Sequence, residues 1–176
     1  MNNLIAPLEF CLGLVRRIVA IAIVLLFAYM IVAVTAQVVA RFIFNFNIAW
    51  ATETSTMAQI WLVMIGAGYA MHKGLHVGVG IVADLLPAPV RRVLNLVVTV
   101  LALWFLWVVF NGSFRLLTIG GMQTSPALQI SMYYPYLVMP IGTAYLALEL
   151  LVVQIPKIFG RDVTVKKDDA NLEAVI

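Results

Sequence analysis

The sequence is poor in charged residues and has a single cysteine. Of its 176 residues, 11% are Asp, Glu, Lys or Arg, whereas 64% are hydrophobic. A soluble domain carries about a quarter charged residues, so this composition excludes an ordinary water-covered surface and indicates a lipid-facing protein. Because Cys11 is alone, an intrachain disulfide and a cysteine-based metal cluster are both excluded.

The alternation of apolar and polar residues that is typical of strands is also absent, so helices rather than a barrel must satisfy the backbone within a membrane. A helix needs about 20 mainly apolar residues to cross the hydrocarbon core. Four stretches meet this requirement, at residues 18–40, 52–71, 93–116 and 130–155. We therefore predict an all-α polytopic membrane protein with a four-helix transmembrane domain at 18–155 and a cytoplasmic tail at 156–176.

Two further segments are predicted to lie along the membrane surface. Residues 1–17 carry leucines at helical spacing, which predicts either an amphipathic interfacial helix or an early start to the first span. Residues 77–86 form a short apolar stretch that predicts a second interfacial helix.

The first span also resembles a signal peptide, but its apolar run at 18–36 exceeds the usual core of about 7–15 residues. We favour a retained span.

The distribution of Lys and Arg predicts the orientation of the chain. Nine of the 11 fall before the first span, between the second and third, or after the fourth, and only Arg41 and Arg115 fall on the other side. Positive charge marks the cytoplasmic side, so both termini are predicted to be cytoplasmic. Aromatic clusters at residues 42–50 and 133–136 agree, because aromatic side chains gather at membrane interfaces.

Acidic residues within spans are candidates for ion sites. Glu53 lies at the outer end of the second span, where the helix dipole favours an acid, and we favour a structural or partner-facing role over ion coupling. Arg41 and Glu53 border the first outer loop, and we favour a pair between them over contact with a partner protein. Glu149 lies near an inner end, where Lys157 would neutralise it and snorkelling to the interface is predicted.

Several apolar residues are candidates for a subunit interface. Gly66 and Ala70 form a small-residue pair that allows a neighbouring backbone to approach closely. Trp104, Trp107 and Phe110 form a ridge on the third span, and Trp104 lies near its middle rather than at its rim. The ridge either fills the bundle, faces acyl chains, or anchors the chain against another membrane subunit.

Three prolines surround the start of the fourth span. Ser125 and Pro126 are predicted to begin a helix, with a capping hydroxyl followed by proline at the first helical position. Pro135 and Pro140 follow one and two turns later, where each removes a backbone hydrogen bond. The outer half of this span is therefore predicted to bend and to pack against protein.

Three other functions were weighed against these patterns. His72 and His76 are four residues apart, which suits a haem or quinone site in the membrane anchor of a redox complex, although a solvated basic loop is favoured. A self-sufficient exporter requires an acid deep within a span. An enzyme requires a nucleophile and a base at matching depths, and the spans carry no such pair.

The ordered set of polar and aromatic residues resembles the small permease (DctQ-like) subunits of tripartite ATP-independent periplasmic (TRAP) transporters. The resemblance covers about residues 10–155, and each piece is weak without the others. Glu53 is followed by Thr54, where many members of the family carry a second acid. The resemblance is carried by Arg41, Asn45, Trp50, Glu53, Trp61, Gly66, His76, Asp84, Pro87, Arg91, Ser125, Pro126, Tyr136 and Pro140.

The resemblance implies a non-catalytic subunit of the bacterial inner membrane, surrounded by lipid, that binds a large permease subunit. The large subunit would hold the substrate and the sodium ions, and a periplasmic binding protein would deliver an organic acid such as a dicarboxylate or sialic acid. The small subunit itself is expected to be a scaffold, with no cofactor, metal site, substrate site or nucleic-acid partner of its own.

Overall fold

The computed structural model describes residues 2–73 and 87–158, and these residues are mainly helical. A single antiparallel bridge joins Thr124 to Ser131 in the loop that precedes the short fourth helix. The all-α prediction is confirmed for this part of the chain. The five helices are α1 (Asn2–Ile43), α2 (Ala49–His72), α3 (Ala88–Gly121), α4 (Tyr133–Tyr136) and α5 (Val138–Ile158).

Three segments of the described chain are long and apolar enough to cross a membrane. They are Leu12–Ile43, Pro89–Gly121 and Tyr133–Ile155. The second helix, α2, is not among them, because the polar residues of 52–56 and Gln59 reduce its apolar content. Residues 18–40, 93–116 and most of 130–155 are thus confirmed as helices able to span. The fourth crossing, at 52–71, and the side on which the termini lie stay predictions.

The first helix is longer than the span predicted within it. Since α1 runs without a break from Asn2, residues 2–17 continue into the first span as one helix, and the segment able to span begins at Leu12. The position of the preceding residues at the membrane surface stays a prediction. The predicted interfacial helix at 77–86 and the tail from 159 lie outside the described residues. At the other end of the chain, α5 continues to Ile158.

The long helices form a row rather than a closed bundle. α1 packs along α2, α2 along α5, and α5 along α3. Among the described residues, α1 makes no backbone contact with α3 or α5. The two edges of the row are therefore α1 and α3, and both expose many large apolar side chains. Such continuous apolar faces must be covered by lipid or by another protein.

Glycines bring α2 and α5 close together in the middle of the row. A side chain at Gly142 would place its Cβ 2.8 Å from Cβ of Met64, and one at Gly68 would overlap the Tyr145 ring. At Gly66, by contrast, nothing lies within 4 Å of the added atom. The close approach of α2 and α5 inside this chain therefore uses Gly68 and Gly142. The use of Gly66 and Ala70 at a subunit interface stays a prediction.

The entry to the last span differs from the prediction. Ser125 and Pro126 lie in a turn, eight and seven residues before α4 begins at Tyr133, so the prediction that they start a helix is wrong. The Ser125 N–H closes this turn by donating to the carbonyl of Ile130 at 2.8 Å. The backbone of Ser125 is therefore bonded within a turn rather than in the first turn of a helix.

The helical run of the last span is interrupted where two of the prolines lie. α4 ends at Tyr136, and α5 begins at Val138, so the helical hydrogen bonding breaks at Leu137, between Pro135 and Pro140. Both prolines are buried, so this segment packs against the rest of the protein as predicted. The bend itself stays a prediction, because Leu137 keeps helical backbone angles.

Replacing Gly142 by alanine tests the close approach of α2 and α5. The added methyl group would meet both the side chain and the backbone of Met64, and overpacking of this kind costs about 1–3 kcal/mol. We expect a lower midpoint of thermal unfolding for the detergent-solubilised protein. The matched control is Gly66→Ala, where space is open, and an equal loss of stability in both variants would contradict this packing.

Candidate functional site

The carboxylate of Glu53 binds a loop that lies 72 residues further along the chain. It accepts hydrogen bonds from the Ser125 hydroxyl, from the Ala127 N–H at 2.8 Å and from the Leu128 N–H at 3.1 Å. Hydrogen bonds to an ionised acceptor are about twice as strong as neutral ones. Glu53 therefore holds residues 123–132, called the clamp loop below, against the start of α2.

The clamp loop is ordered by its own backbone as well. The Gln129 N–H donates to the Ser125 carbonyl at 3.0 Å, and the Met132 N–H donates to the Gln123 carbonyl at 2.9 Å. Gln129 has a φ of 55°, a left-handed conformation that side chains seldom adopt outside turns. The Ser125 residue is 1% exposed. These contacts present the Ala127 and Leu128 N–H groups to one carboxylate.

Arg41 is not a partner of Glu53, so the prediction of an ion pair between them is wrong. The oxygens of Glu53 are instead occupied by donors of the clamp loop. Arg41 is exposed in the last turn of α1. The loop that follows turns at Asn45, whose φ of 52° is a conformation that Asn tolerates better than most residues. This gives Asn45 a structural role.

A buried ion pair joins the two helices on either side of α2. Arg16 of α1 donates from Nε to Oε1 of Glu149 at 2.8 Å and from Nη2 to Oε2 at 2.7 Å. Glu149 is completely buried, and the Arg16 side chain is 20% exposed. Nδ1 of His72, on α2, lies 3.9 Å from Oε2 of Glu149. This cluster, called the inner junction below, connects α1, α2 and α5.

The prediction that Glu149 snorkels to the membrane interface is wrong. Its carboxylate turns inward because a bidentate guanidinium partner is available at the same depth, and this geometry suits a planar carboxylate. The signal in the sequence was an acid and a base near the inner ends of two spans. In the sequence, Arg16 was interpreted only as a charge that indicates the orientation of the chain. Its pairing with Glu149 was therefore not predicted.

An apolar groove lies between α3 and α5. Its volume is about 530 Å³, with Trp104, Trp107 and Phe110 on one side and Thr143 on the other. The two tryptophans are 69% and 63% exposed. Oγ1 of Thr143 is buried and has no hydrogen-bond partner among the described residues. The groove therefore brings three of the predicted interface residues together with a polar atom that the sequence did not indicate.

The other predicted residues lie at scattered positions. Trp61 and Ala70 are half-buried on α2, and Trp50 is exposed at its start. The Tyr136 ring lies against Gly120, and Pro140 is buried. Two predicted residues, His76 and Asp84, lie outside the described residues.

The remaining two predicted residues border the start of α3. Pro87 is exposed immediately before the helix, and its carbonyl accepts the Arg91 N–H at 3.0 Å. The Arg91 side chain is half-buried. Proline suits this position because the first N–H groups of a helix have no partner within it. Pro87 thus has a structural explanation at the start of α3.

Taken together, the two carboxylates fix helix and loop positions. Glu53 is held by three donors of the clamp loop, and Glu149 by a guanidinium. An acid that couples transport to an ion must exchange its partner during the cycle, whereas these two are fully engaged by their own chain.

Comparison with known proteins gives a consistent result. A family model described as "Tripartite ATP-independent periplasmic transporters, DctQ component" matches residues 30–159. The C4-dicarboxylate TRAP transporter small permease protein DctQ of Rhodobacter capsulatus is 29% identical over 109 residues, which cover 61% of this chain and 48% of that protein. The match thus spans about half of the length of that relative.

Two further relatives extend the comparison. The ectoine TRAP transporter small permease protein TeaB of Halomonas elongata is 26% identical over 153 residues, covering 85% of this chain and 79% of TeaB. The isethionate TRAP transporter permease protein DctMQ of Oleidesulfovibrio alaskensis is 31% identical over 104 residues, covering 58% of this chain but 16% of that longer protein. These matches do not favour the redox-anchor alternative.

Removing one member of the buried ion pair should destabilise the fold strongly. Glu149→Leu would leave Arg16 charged without its carboxylate partner, and a broken buried pair costs about 3–5 kcal/mol. We expect a marked drop in the thermal midpoint in detergent. The double variant Arg16→Met with Glu149→Leu should recover most of it, since apolar replacement of both partners is often neutral.

The matched control for that series is Arg17→Met, which removes the neighbouring, exposed arginine. It should leave the midpoint close to that of the unchanged protein. Equal losses for Arg17→Met and Glu149→Leu, or a double variant as unstable as the single one, would contradict the role of the inner junction.

Hydrogen exchange tests the clamp of Glu53 on its loop. In Glu53→Gln the amide cannot accept from three donors as a carboxylate does, and a hydrogen bond to a charged group is worth about 1.5–3 kcal/mol. We expect exchange of the Ala127 and Leu128 amides to accelerate by about tenfold or more. The control is Thr56→Ala, whose hydroxyl bonds only to the Thr52 carbonyl; equal exchange in both variants would refute the clamp.

Proposed function

Because this chain belongs to the DctQ component family of TRAP transporters, we propose that it is a non-catalytic scaffold that binds and braces a large permease subunit. The observation that carries this proposal is the open row of helices, whose edges α1 and α3 expose apolar side chains that no other described residue covers. A transporter that worked alone would need to enclose a path, whereas the described long helices lie side by side and do not close around one.

The occupied carboxylates support the same proposal. Ion-coupled sites are built from acids or backbone carbonyls freed at broken helices near the middle of the membrane. Glu53 binds the clamp loop and Glu149 binds Arg16, so both acids stabilise this chain. We therefore assign the sodium ions and the solute to the large subunit.

We propose that the chain lies in the bacterial inner membrane and crosses it four times, with α2 as the fourth crossing and both termini in the cytoplasm. α2 lies between α1 and α5, so much of its surface faces protein. Its hydroxyls are also satisfied locally, since Ser55 donates to the Ala51 carbonyl at 2.7 Å and Thr56 to that of Thr52 at 2.9 Å. A helix with such pairing tolerates a membrane despite its polar composition.

We propose that the assembled transporter takes up an organic acid, of the dicarboxylate or sialic acid type, by sodium symport. A periplasmic binding protein would deliver the solute to the outer end of the assembly. The relatives are named for C4-dicarboxylate, ectoine and isethionate transport. Since one type of small subunit occurs with three solutes, we place the choice of solute in the other components.

Reconstitution tests the scaffold proposal. Proteoliposomes are prepared with this chain alone, with the large subunit alone, or with both, and sodium-driven uptake is measured in the presence of the binding protein. We expect uptake above background only when both membrane subunits are present. Uptake by this chain alone would contradict a non-catalytic role, and equal uptake by the large subunit alone would contradict a required brace.

A further inference from the structure

We propose that the groove between α3 and α5 seats one transmembrane helix of the large permease subunit, and that the Thr143 hydroxyl donates a hydrogen bond to it. This inference rests on the proposed function, because it names the surface through which the scaffold would bind its partner. Beyond that function, the interface is assigned to one face of the row, with one helix as occupant and one hydrogen bond.

The depth of the groove within the membrane supports a protein occupant. From Val100 to Phe110 the groove follows about 15 Å of α3, which is half of a hydrocarbon core of about 30 Å. Trp104 lies close to the midpoint of the segment Pro89–Gly121. Tryptophans exposed to lipid prefer the two interfaces, so exposed tryptophans at mid-depth require a different explanation. Large aromatic side chains at a groove are typical anchors of protein interfaces.

The unsatisfied hydroxyl of Thr143 indicates that the occupant of the groove offers a hydrogen-bond acceptor. Two buried hydroxyls of α3 are satisfied locally: Thr99 donates to the Asn95 carbonyl at 2.6 Å, and Ser113 to that of Val109 at 2.7 Å. On α5, the hydroxyls of Thr143 and Tyr145 both lack a partner among the described residues, but of these two only Thr143 lines the groove. Thr143 is 1% exposed and makes no such bond. Acyl chains would fill the groove but would leave this hydroxyl unsatisfied, which is unfavourable in hydrocarbon.

The floor of the groove suits a helix by its shape. Thr143 and Ala147 are four residues apart on α5, with Ala144 beside them. Small residues at this spacing allow a second helix to approach closely. A helix seated here would contact both α3 and α5, and would therefore continue the interface by which those two helices already pack. It would also cover part of the exposed edge of the row.

One relative supports a segment of the permease as the occupant of the groove. In the Oleidesulfovibrio alaskensis permease protein DctMQ, the region similar to this chain makes up 16% of a single longer chain. The rest of that permease protein is therefore covalently attached to the region that resembles this chain. Among the possible occupants, a helix of the large subunit therefore accounts for the hydroxyl, the small floor and the aromatic wall together.

Site-specific photocrosslinking tests the occupant in membranes that contain the complete transporter. A benzophenone amino acid replaces Trp107 in the groove, and in the control it replaces Phe105, which is 64% exposed at the same depth but does not line the groove. We expect a crosslink to the large subunit from position 107 and none from position 105. A crosslink only to lipid, only to a second copy, or equally from both positions would overturn the proposal.

Two substitutions of Thr143 test the hydrogen bond. Thr143→Val keeps the shape and removes the hydroxyl, and it should reduce the large subunit recovered per small subunit about threefold, as expected for one interhelical hydrogen bond. Thr143→Ser keeps the hydroxyl and should recover near-normal amounts. Equal yields from both variants would show that the hydroxyl has no partner there.

Blocking the groove separates this inference from the proposed function. In Ala144→Trp a large side chain would occupy the groove from a position that is exposed on α5, so we expect the large subunit to be lost from the purified complex, with the thermal midpoint of the small subunit retained. If the complex survives in Ala144→Trp, the groove is not the seat, although the scaffold function stands. If the unchanged chain also fails to co-purify with a large subunit, the scaffold function itself fails.

Discussion

The bidentate pair between Arg16 and Glu149 determines how the helices of this chain are positioned along one another. It joins α1 to α5, two helices whose backbones make no contact within the described residues. Because a buried carboxylate has few alternative partners inside a membrane, sliding either helix by one turn would leave a charge unpaired. The pair therefore sets the relative heights of α1 and α5, and α2 is held between them.

The start of α2 is fixed by a second carboxylate. Glu53 binds backbone N–H groups of the clamp loop, and this loop leads into the start of the last span. At the other end of α2, Nδ1 of His72 lies 3.9 Å from the Glu149 carboxylate, which is a contact beyond hydrogen-bond distance. Between them, Gly68 and Gly142 allow close packing. The result is a row whose two buried or loop-bound carboxylates are used internally, whereas the Thr143 and Tyr145 hydroxyls and Oε1 of Gln154 are buried without a partner among the described residues.

The sequence predicted the elements better than it predicted their contacts. Helix positions follow from apolar runs, and the interruption of the helix at Leu137 follows from Pro135 and Pro140, because these are local effects. The partners of Glu53 and Glu149 could not be predicted in this way, because they lie 72 and 133 residues away. Choosing Ser125 over Arg41 as a partner requires the fold of the clamp loop. The aromatic ridge was visible as a pattern, but its companion Thr143 became apparent only when α3 and α5 were placed side by side.

A distance measured across the row during transport tests most directly whether this chain is a static brace. Spin labels at Phe42 and Met122, which are 80% and 83% exposed, would report on the α1 and α3 edges after Cys11 is replaced by serine. The account predicts one distance distribution in the complete transporter, unchanged by sodium, solute and binding protein. A second distance that appears during turnover would show that the row itself moves, and would contradict the account.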